Sequence, residues 1–232
     1  TEKDLVMKDR YGREIDYLRI SITDRCNLRC IYCMPEEGIC QTAHKEILTY
    51  DEIRRICRCM TALGIKKIKL TGGEPLTRKD SAVLVRMLKE LPGIEKVTLT
   101  TNGILLKEQM AELAEAGIDN INISLDTLNT EAFKKITRRE GLARVLEGLK
   151  EAMKYPQIGL KINCVPVLED PENLINLAEI ARDNPIHVRF IEMMPIGYGK
   201  EFRFCGEDEI CSVLEGAYGE MTPITEKYGN GP

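Results

Sequence analysis

Three cysteines lie within eight residues of this 232-residue chain and are its strongest chemical signal. Cys26, Cys30 and Cys33 form the pattern Cys-x3-Cys-x2-Cys inside the polar stretch RCNLRCIYCMPEEG, residues 25–38. A disulfide would use only two of these thiols, and a structural zinc site usually has four ligands. Three cysteine thiolates can instead hold three irons of a four-iron, four-sulfur cluster, which leaves the fourth iron open to a small molecule.

Zinc is the alternative reading of the same loop. It needs a fourth ligand, which Cys40 or His44 could supply from the residues that follow. The remaining cysteines give no comparable pattern, because Cys57 and Cys59 point to different faces of a predicted helix and Cys164 lies within a predicted strand. The odd total of nine cysteines also argues against a complete disulfide framework.

The elements that must position this loop alternate regularly between strand and helix patterns. Strand patterns occur at residues 16–23, 66–71, 95–101, 119–126, 159–167 and 186–193, with helical periodicity between them. This alternation predicts an α/β fold whose parallel strands form a partial (β/α)6 TIM-type barrel. A doubly wound open sheet is the alternative, which periodicity alone does not separate from the barrel. In both folds the functional sites gather at the carboxyl ends of the strands.

The domain prediction follows from where this alternation stops. Residues 1–199 are predicted to form the barrel core. Residues 200–232 are predicted to begin a truncated C-terminal extension, with one more helix within residues 205–219 and a loop in the last residues, TEKYGNGP.

Several polar motifs follow the predicted strands. TGGEP, residues 71–75, places two glycines where a backbone can approach a ligand closely, and Glu74 could accept hydrogen bonds from an ammonium group. A simple strand-to-helix turn is the alternative for this motif. The run KKITRRE, residues 134–140, is interpreted as a solvated helix face or a linker.

Basic residues lie within three otherwise apolar strands. Arg19, Lys69 and Lys161 would be costly inside a barrel unless they were paired or bound to an anion, so together they predict a phosphate pocket. The alternative is that each side chain faces outward at a strand end.

Composition limits the class of partner. The net charge of −4 argues against a nucleic-acid surface, which is normally basic. No apolar run reaches the length of a membrane span, and the polar first residues lack a signal-peptide core. We therefore predict a cytoplasmic protein with reduced thiols.

The motifs RCNLRCIYCMPEEG, TGGEP, TTNG, ISLD and RFIEMMPIG together resemble the radical S-adenosylmethionine superfamily and, within it, the GTP 3′,8-cyclase family. The resemblance implies a [4Fe-4S] cluster on Cys26, Cys30 and Cys33. It also implies S-adenosylmethionine contacts from Tyr32, Gly73, Ser124 and Met194, and GTP contacts from Arg19, Lys69, Thr100 and Lys161. Lys69 stands where the family pattern usually shows arginine, so the charge is kept but the bidentate fork is lost.

By the same resemblance the chain would be a radical lyase. The cluster would cleave S-adenosylmethionine reductively, and the resulting 5′-deoxyadenosyl radical would take hydrogen from C3′ of GTP and lead to 3′,8-cyclo-GTP, the first step of molybdopterin biosynthesis. The alternatives are a radical enzyme acting on a peptide or another small molecule, and a non-catalytic zinc-binding module.

The resemblance also sets expectations for cofactors and partners. Besides GTP, an electron donor such as flavodoxin or ferredoxin is expected, a homodimer is allowed, and neither nucleic acid nor membrane is expected. The family carries a second [4Fe-4S] cluster whose cysteine ligands this sequence lacks. We therefore expect this chain to cleave S-adenosylmethionine but to form little cyclised nucleotide.

Overall fold

A single parallel sheet organises the protein. The computed structural model describes residues 7–167, 170–202 and 205–224. Its six strands pair in the order of the chain, and every neighbouring pair is parallel: β1 (Tyr17–Ser21), β2 (Lys67–Thr71), β3 (Lys96–Thr101), β4 (Asn120–Ser124), β5 (Gly159–Cys164) and β6 (Ile186–Phe190). All six predicted strands are therefore confirmed, each with shorter ends than the sequence pattern suggested.

The strand order decides between the two predicted architectures. A doubly wound sheet reverses its strand order at a switch point, whereas a barrel adds each strand beside the one before it. The order β1-β2-β3-β4-β5-β6 contains no reversal, and β1 and β6 remain the two edges of an open sheet. The partial (β/α)6 barrel is confirmed, and the doubly wound alternative is wrong.

Helices connect the strands and cover one face of the sheet. They are α1 (Tyr50–Thr61), α2 (Ser81–Lys89), α3 (Leu106–Glu115), α4 (Thr130–Thr137), α5 (Leu142–Ala152), α6 (Pro171–Asp183) and α7 (Glu207–Tyr218), with short 3-10 turns at His44–Glu46, Pro75–Thr77 and Gly197–Glu201. Helix α1 begins with a capping box in which Thr49 and Glu52 bond each other's backbone N–H. Helix α4 is only eight residues long, and it contains the first part of the run KKITRRE, for which a helix face was one of the two interpretations.

The two faces of the sheet differ in composition. Alternate strand residues such as Ile68, Leu99 and Ile162 are fully buried in the hydrophobic core against the helices. The residues between them, such as Lys69 and Lys161, are only half-buried and belong to the concave inner face. Because side chains alternate along a strand, the same segments build the core and leave the inner face to polar groups.

The predicted helix near the end of the chain is present as α7. It packs on α6, where Ile210 is buried and the Tyr218 hydroxyl donates to the carbonyl oxygen of Ile175 at 3.1 Å. The predicted terminal loop, TEKYGNGP, lies outside the described residues. Within the part of the chain that the structure describes, no helix has both the length and the apolar character needed to cross a membrane.

Candidate metal centre and ligand site

The cysteine loop follows β1 at the carboxyl edge of the sheet and is held there by the TGGEP turn after β2. The Gly73 N–H donates to the Thr23 carbonyl oxygen and the Glu74 N–H donates to the Arg25 carbonyl oxygen, each at 2.7 Å. A Cβ atom on Gly73 would collide with the carbonyl of Arg25, and one on Gly72 would lie 2.5 Å from the carbonyl oxygen of Thr23. The two glycines are thus required because one backbone lies directly against another.

Glu74 is buried between the loops, with 1% of its surface exposed. One carboxylate oxygen accepts from the Thr101 hydroxyl (2.7 Å) and the Leu76 N–H (3.0 Å), and the other accepts from the Asn102 N–H (2.6 Å). Burial raises the pKa of Glu74, and these hydrogen bonds oppose the rise. The structure gives the carboxylate these three partners, where the sequence suggested an ammonium group.

Asn102 connects Glu74 to Cys26, the first cysteine of the loop. Its side-chain amide donates to Asn27 Oδ1 at 2.7 Å and lies 3.9 Å from Cys26 Sγ. The Leu28 N–H lies 3.4 Å from the same sulfur. Two N–H groups therefore face Cys26, which is the arrangement that stabilises a thiolate ligand.

Cys30 and Cys33 are joined by a backbone turn. The N–H groups of Cys33 and Met34 both donate to the carbonyl oxygen of Cys30, at 2.9 and 3.1 Å. Burial raises the pKa of all three loop thiols, and for Cys30 the nearby carboxylate of Asp126 helps to raise it to about 12. The thiols are therefore protonated near neutral pH, and a metal that binds them has to displace those protons.

Tyr32 connects the middle of the cysteine loop to the segments that follow β4 and β5. Its hydroxyl donates to Asp126 at 2.7 Å, and the other carboxylate oxygen of Asp126 accepts from the Val165 N–H at 2.9 Å. Burial raises the pKa of Asp126 to about 6, although both hydrogen bonds lower it. A cavity that is open to solvent lies beside this pair, and Cys30 and Ser124 also line it.

A cluster and a single zinc ion differ in the arrangement of ligands that each requires. Among residues 7–167, 170–202 and 205–224, no three His, Cys, Asp or Glu side chains converge as ligands of one metal ion. Zinc would need such convergence, whereas an iron–sulfur cube takes one cysteine on each of several irons. Cys40 and His44, the fourth ligands considered for zinc, are both exposed.

The four residues predicted to contact S-adenosylmethionine lie on four different segments of the chain. Tyr32 and Ser124 line the cavity beside Cys30, and Gly73 lies against the cysteine loop. Met194 lies in the segment after β6, with 66% of its surface exposed.

The predicted phosphate-binding residues share the inner face of the sheet. Arg19 on β1 is in register with Lys69 on β2, and Asn122 on β4 lies between Thr100 and Lys161 in the next row. The alternative that the three cations face outward is therefore wrong.

Mutual repulsion of the cations is visible at Lys69. Burial and, to a smaller extent, the positive charges of Arg189, Arg19 and Lys161 together lower its pKa to about 8. A surface that disfavours its own positive charge in this way gains most from binding an anion.

Asn122 and Arg189 also belong to this cationic inner face of the sheet, and neither was predicted from the sequence. With its amide oxygen turned toward the cations, Asn122 accepts from Lys69 Nζ at 2.9 Å and from Arg189 Nη2 at 3.3 Å. Arg189 also donates to Asn163 Oδ1 at 2.7 Å. Alternation along IHVRF could have identified Arg189, because it is two residues after His187, which is in register with Lys161.

Comparison with known proteins adds an independent line of support. Residues 20–181 match the family model described as the radical SAM superfamily. The chain is 43% identical over 230 residues to a GTP 3′,8-cyclase of Pelotomaculum thermopropionicum, covering 97% of this chain and 71% of that protein. It is 46% identical over 211 residues to a GTP 3′,8-cyclase of Clostridium perfringens, covering 90% of this chain and 65% of the relative.

Solved structures agree on the fold. Streptococcus suis SuiB bound to S-adenosylmethionine superposes with a TM-score of 0.68 at 22% identity, covering 87% of this chain and 46% of that one. Methylornithine synthase superposes with a TM-score of 0.65 at 19% identity, covering 86% of this chain and 61% of the other. At these identities the likeness concerns the fold alone.

Proposed function

Because the chain belongs to the radical S-adenosylmethionine superfamily, and within it to the GTP 3′,8-cyclase family, we propose that it generates a radical from S-adenosylmethionine and directs it at GTP. The observation that carries this proposal is the position of the three-cysteine loop. The loop lies at the carboxyl edge of a parallel sheet whose inner face is lined with cations. In this proposal the cluster site and the substrate site share the carboxyl edge and the inner face of the same sheet.

In this proposal Cys26, Cys30 and Cys33 hold a [4Fe-4S] cluster. When bound, the cluster supplies the electron that cleaves S-adenosylmethionine into methionine and a 5′-deoxyadenosyl radical. The protein fixes the loop before any cofactor arrives, through the Glu74 carboxylate on one side and the Tyr32–Asp126 hydrogen bond on the other. Such preorganisation reduces the ordering cost of binding.

S-adenosylmethionine is proposed to occupy the cavity beside Cys30. Tyr32 would present its backbone there, since its hydroxyl is already engaged by Asp126. Ser124 and Gly73 would contact the bound cofactor from the ends of β4 and β2, and Met194 would complete the site from the segment after β6.

GTP is the proposed substrate, with its triphosphate on the inner face of the sheet. Arg19, Lys69 and Lys161 supply positive charge, Thr100 supplies a hydroxyl, and Arg189 joins them through Asn122. This clustering favours an anionic nucleotide over a peptide, which would not need so many cations on one face of the sheet.

Other features of the proposal rest on the family alone. The chain spans 65–71% of the length of the relatives described above, so the complete cyclisation is proposed and not established for it. The second cluster, a flavodoxin or ferredoxin as electron donor, a homodimer and a cytoplasmic location remain predictions. The boundary between the core and an extension at residue 199 also remains a prediction.

Deuterium transfer tests the proposed reaction. The iron-loaded chain would be reduced without oxygen and given S-adenosylmethionine and GTP deuterated at C3′. Since the radical takes the atom from C3′ before any cyclisation, we expect 5′-deoxyadenosine that carries deuterium even where little cyclised nucleotide forms, and no 5′-deoxyadenosine from Cys30→Ala. Cleavage without deuterium in the product would contradict GTP as substrate, and the absence of cleavage by the loaded protein would contradict the radical chemistry. Cys59→Ala, at an exposed helical thiol, is the matched control.

A further inference from the structure

Resting on the proposed cluster, we infer that Arg138 is a positioning residue for the segment that carries Cys30 and Cys33. Arg138 belongs to the run KKITRRE, which the sequence suggested to be a solvated helix face or a linker. In the structure it follows the last residue of α4, and its side chain is half-buried against the cysteine loop.

The guanidinium group of Arg138 bridges the two ends of the segment that carries Cys30 and Cys33. Its Nη1 donates to the carbonyl oxygen of Arg29 at 3.1 Å and to that of Met34 at 2.9 Å. These two carbonyls lie on either side of Cys30 and Cys33 in the chain. One charged donor therefore fixes the distance between the two ends of the segment that carries both thiols.

The backbone at the end of α4 supports the same contact. The N–H groups of Arg29 and Ile31 donate to the carbonyl oxygens of Thr137 and Ile136, both at 2.9 Å. Thr137 is itself buried, and its hydroxyl donates to the carbonyl oxygen of Phe133 at 2.8 Å. The helix end is thus docked on the cysteine loop, and Arg138 extends this docking past Cys33.

The backbone conformation of Arg138 is unusual. Its φ of 55° lies in the left-handed region, which glycine adopts without strain and other residues adopt at a cost. Such strain persists where surrounding contacts require it, and functional sites are where it collects. The two carbonyls of the cysteine loop supply the contacts that offset the strain at this position.

Arg139 provides a matched control beside it. It carries the same charge but is exposed, and its guanidinium donates to the carbonyl oxygen of Arg138 at 2.7 Å instead of to the cysteine loop. Removing the Arg139 side chain therefore removes the same charge but leaves the two hydrogen bonds from Arg138 to the cysteine loop in place.

Three variants of the 232-residue chain test the inference: Arg138→Gly, Arg138→Lys and Arg139→Ala. In the iron-free proteins, hydrogen exchange measured on peptides within residues 29–34 should be about tenfold faster in Arg138→Gly, as expected when local hydrogen bonds are lost. Arg138→Lys, which keeps a donor, should recover part of the protection, and Arg139→Ala should match the parent.

The thermal midpoint and iron retention separate positioning from a general loss of stability. We expect Arg138→Gly to keep its thermal midpoint, since glycine relieves the left-handed strain, while the loaded protein releases iron to a chelator about tenfold faster. The inference would be overturned if hydrogen exchange of residues 29–34 in Arg138→Gly matched the parent, or if Arg139→Ala lost as much protection there as Arg138→Gly. Faster exchange spread over the whole protein would overturn it as well. If the parent chain retains no iron, the proposed cluster fails, and the exchange comparison still decides the role of Arg138.

Discussion

Replacing Glu74 by alanine tests whether this carboxylate braces the loops or serves a bound ligand. The change removes the acceptor of three donors: the Thr101 hydroxyl and the N–H groups of Leu76 and Asn102. A buried donor left without a partner costs about 1–3 kcal/mol, so even at the low end three donors amount to about 3 kcal/mol. Removing a desolvated charge offsets part of this cost, because burial raises the pKa of Glu74.

We therefore expect the free energy of unfolding of the ligand-free Glu74→Ala protein to fall by about 2–3 kcal/mol. The measurement is urea unfolding followed by circular dichroism, with no iron or S-adenosylmethionine present. Glu147→Ala is the control, because Glu147 forms an exposed ion pair with Lys107 and its loss should change the value by less than about 0.5 kcal/mol. A Glu74→Ala value within that same margin would refute the bracing role and favour a ligand-binding one.

Three further predictions follow from the titrating groups and the hydrogen bonds of the site. Lys69 loses its charge as the pH rises through about 8, so GTP affinity measured by calorimetry should fall several-fold from pH 7 to 9, whereas Lys69→Arg should hold its affinity over that range. Since this folded-state pKa lies below the ordinary 10.5, Lys69 should also make the free energy of unfolding rise between about pH 8 and 10.5. A Lys69→Met protein whose free energy of unfolding rises as steeply with pH as that of the parent would contradict this. Asp126→Ala should lower the free energy of unfolding by about 1–3 kcal/mol, because the Tyr32 hydroxyl and the Val165 N–H lose their acceptor. Asp126→Asn should lower it by less, since the asparagine amide can accept from the Val165 N–H and donate to the Tyr32 hydroxyl. Equal losses in the two Asp126 variants in urea unfolding would count against this account.

Local patterns predicted most of the fold. The strands of the sheet are visible as short apolar alternations, and the capping box of α1 depends on only four neighbouring residues. The inner-face cations were predictable because alternation along a strand and the cost of burying a charge act together. The extent of helix α4 was not predicted, because its eight residues are too few to show a clear helical period.

The roles of Glu74 and Arg138 could not be read from the sequence. A buried carboxylate can be satisfied by a ligand's ammonium group or by backbone N–H groups, and only the three-dimensional arrangement shows which donors reach Glu74. Arg138 lies more than a hundred residues after the loop whose carbonyls it binds. Such long-range contacts leave no local spacing for a motif to record.

Electron paramagnetic resonance of the reduced, iron-loaded chain tests the central claim most directly. The claim is that Cys26, Cys30 and Cys33 hold a cluster whose remaining iron binds S-adenosylmethionine. We expect a signal typical of a reduced [4Fe-4S] cluster that changes when S-adenosylmethionine is added, that is absent in Cys33→Ala and that persists in Cys59→Ala. A protein that takes up no iron and sulfide, or a signal that S-adenosylmethionine leaves unchanged, would contradict the claim.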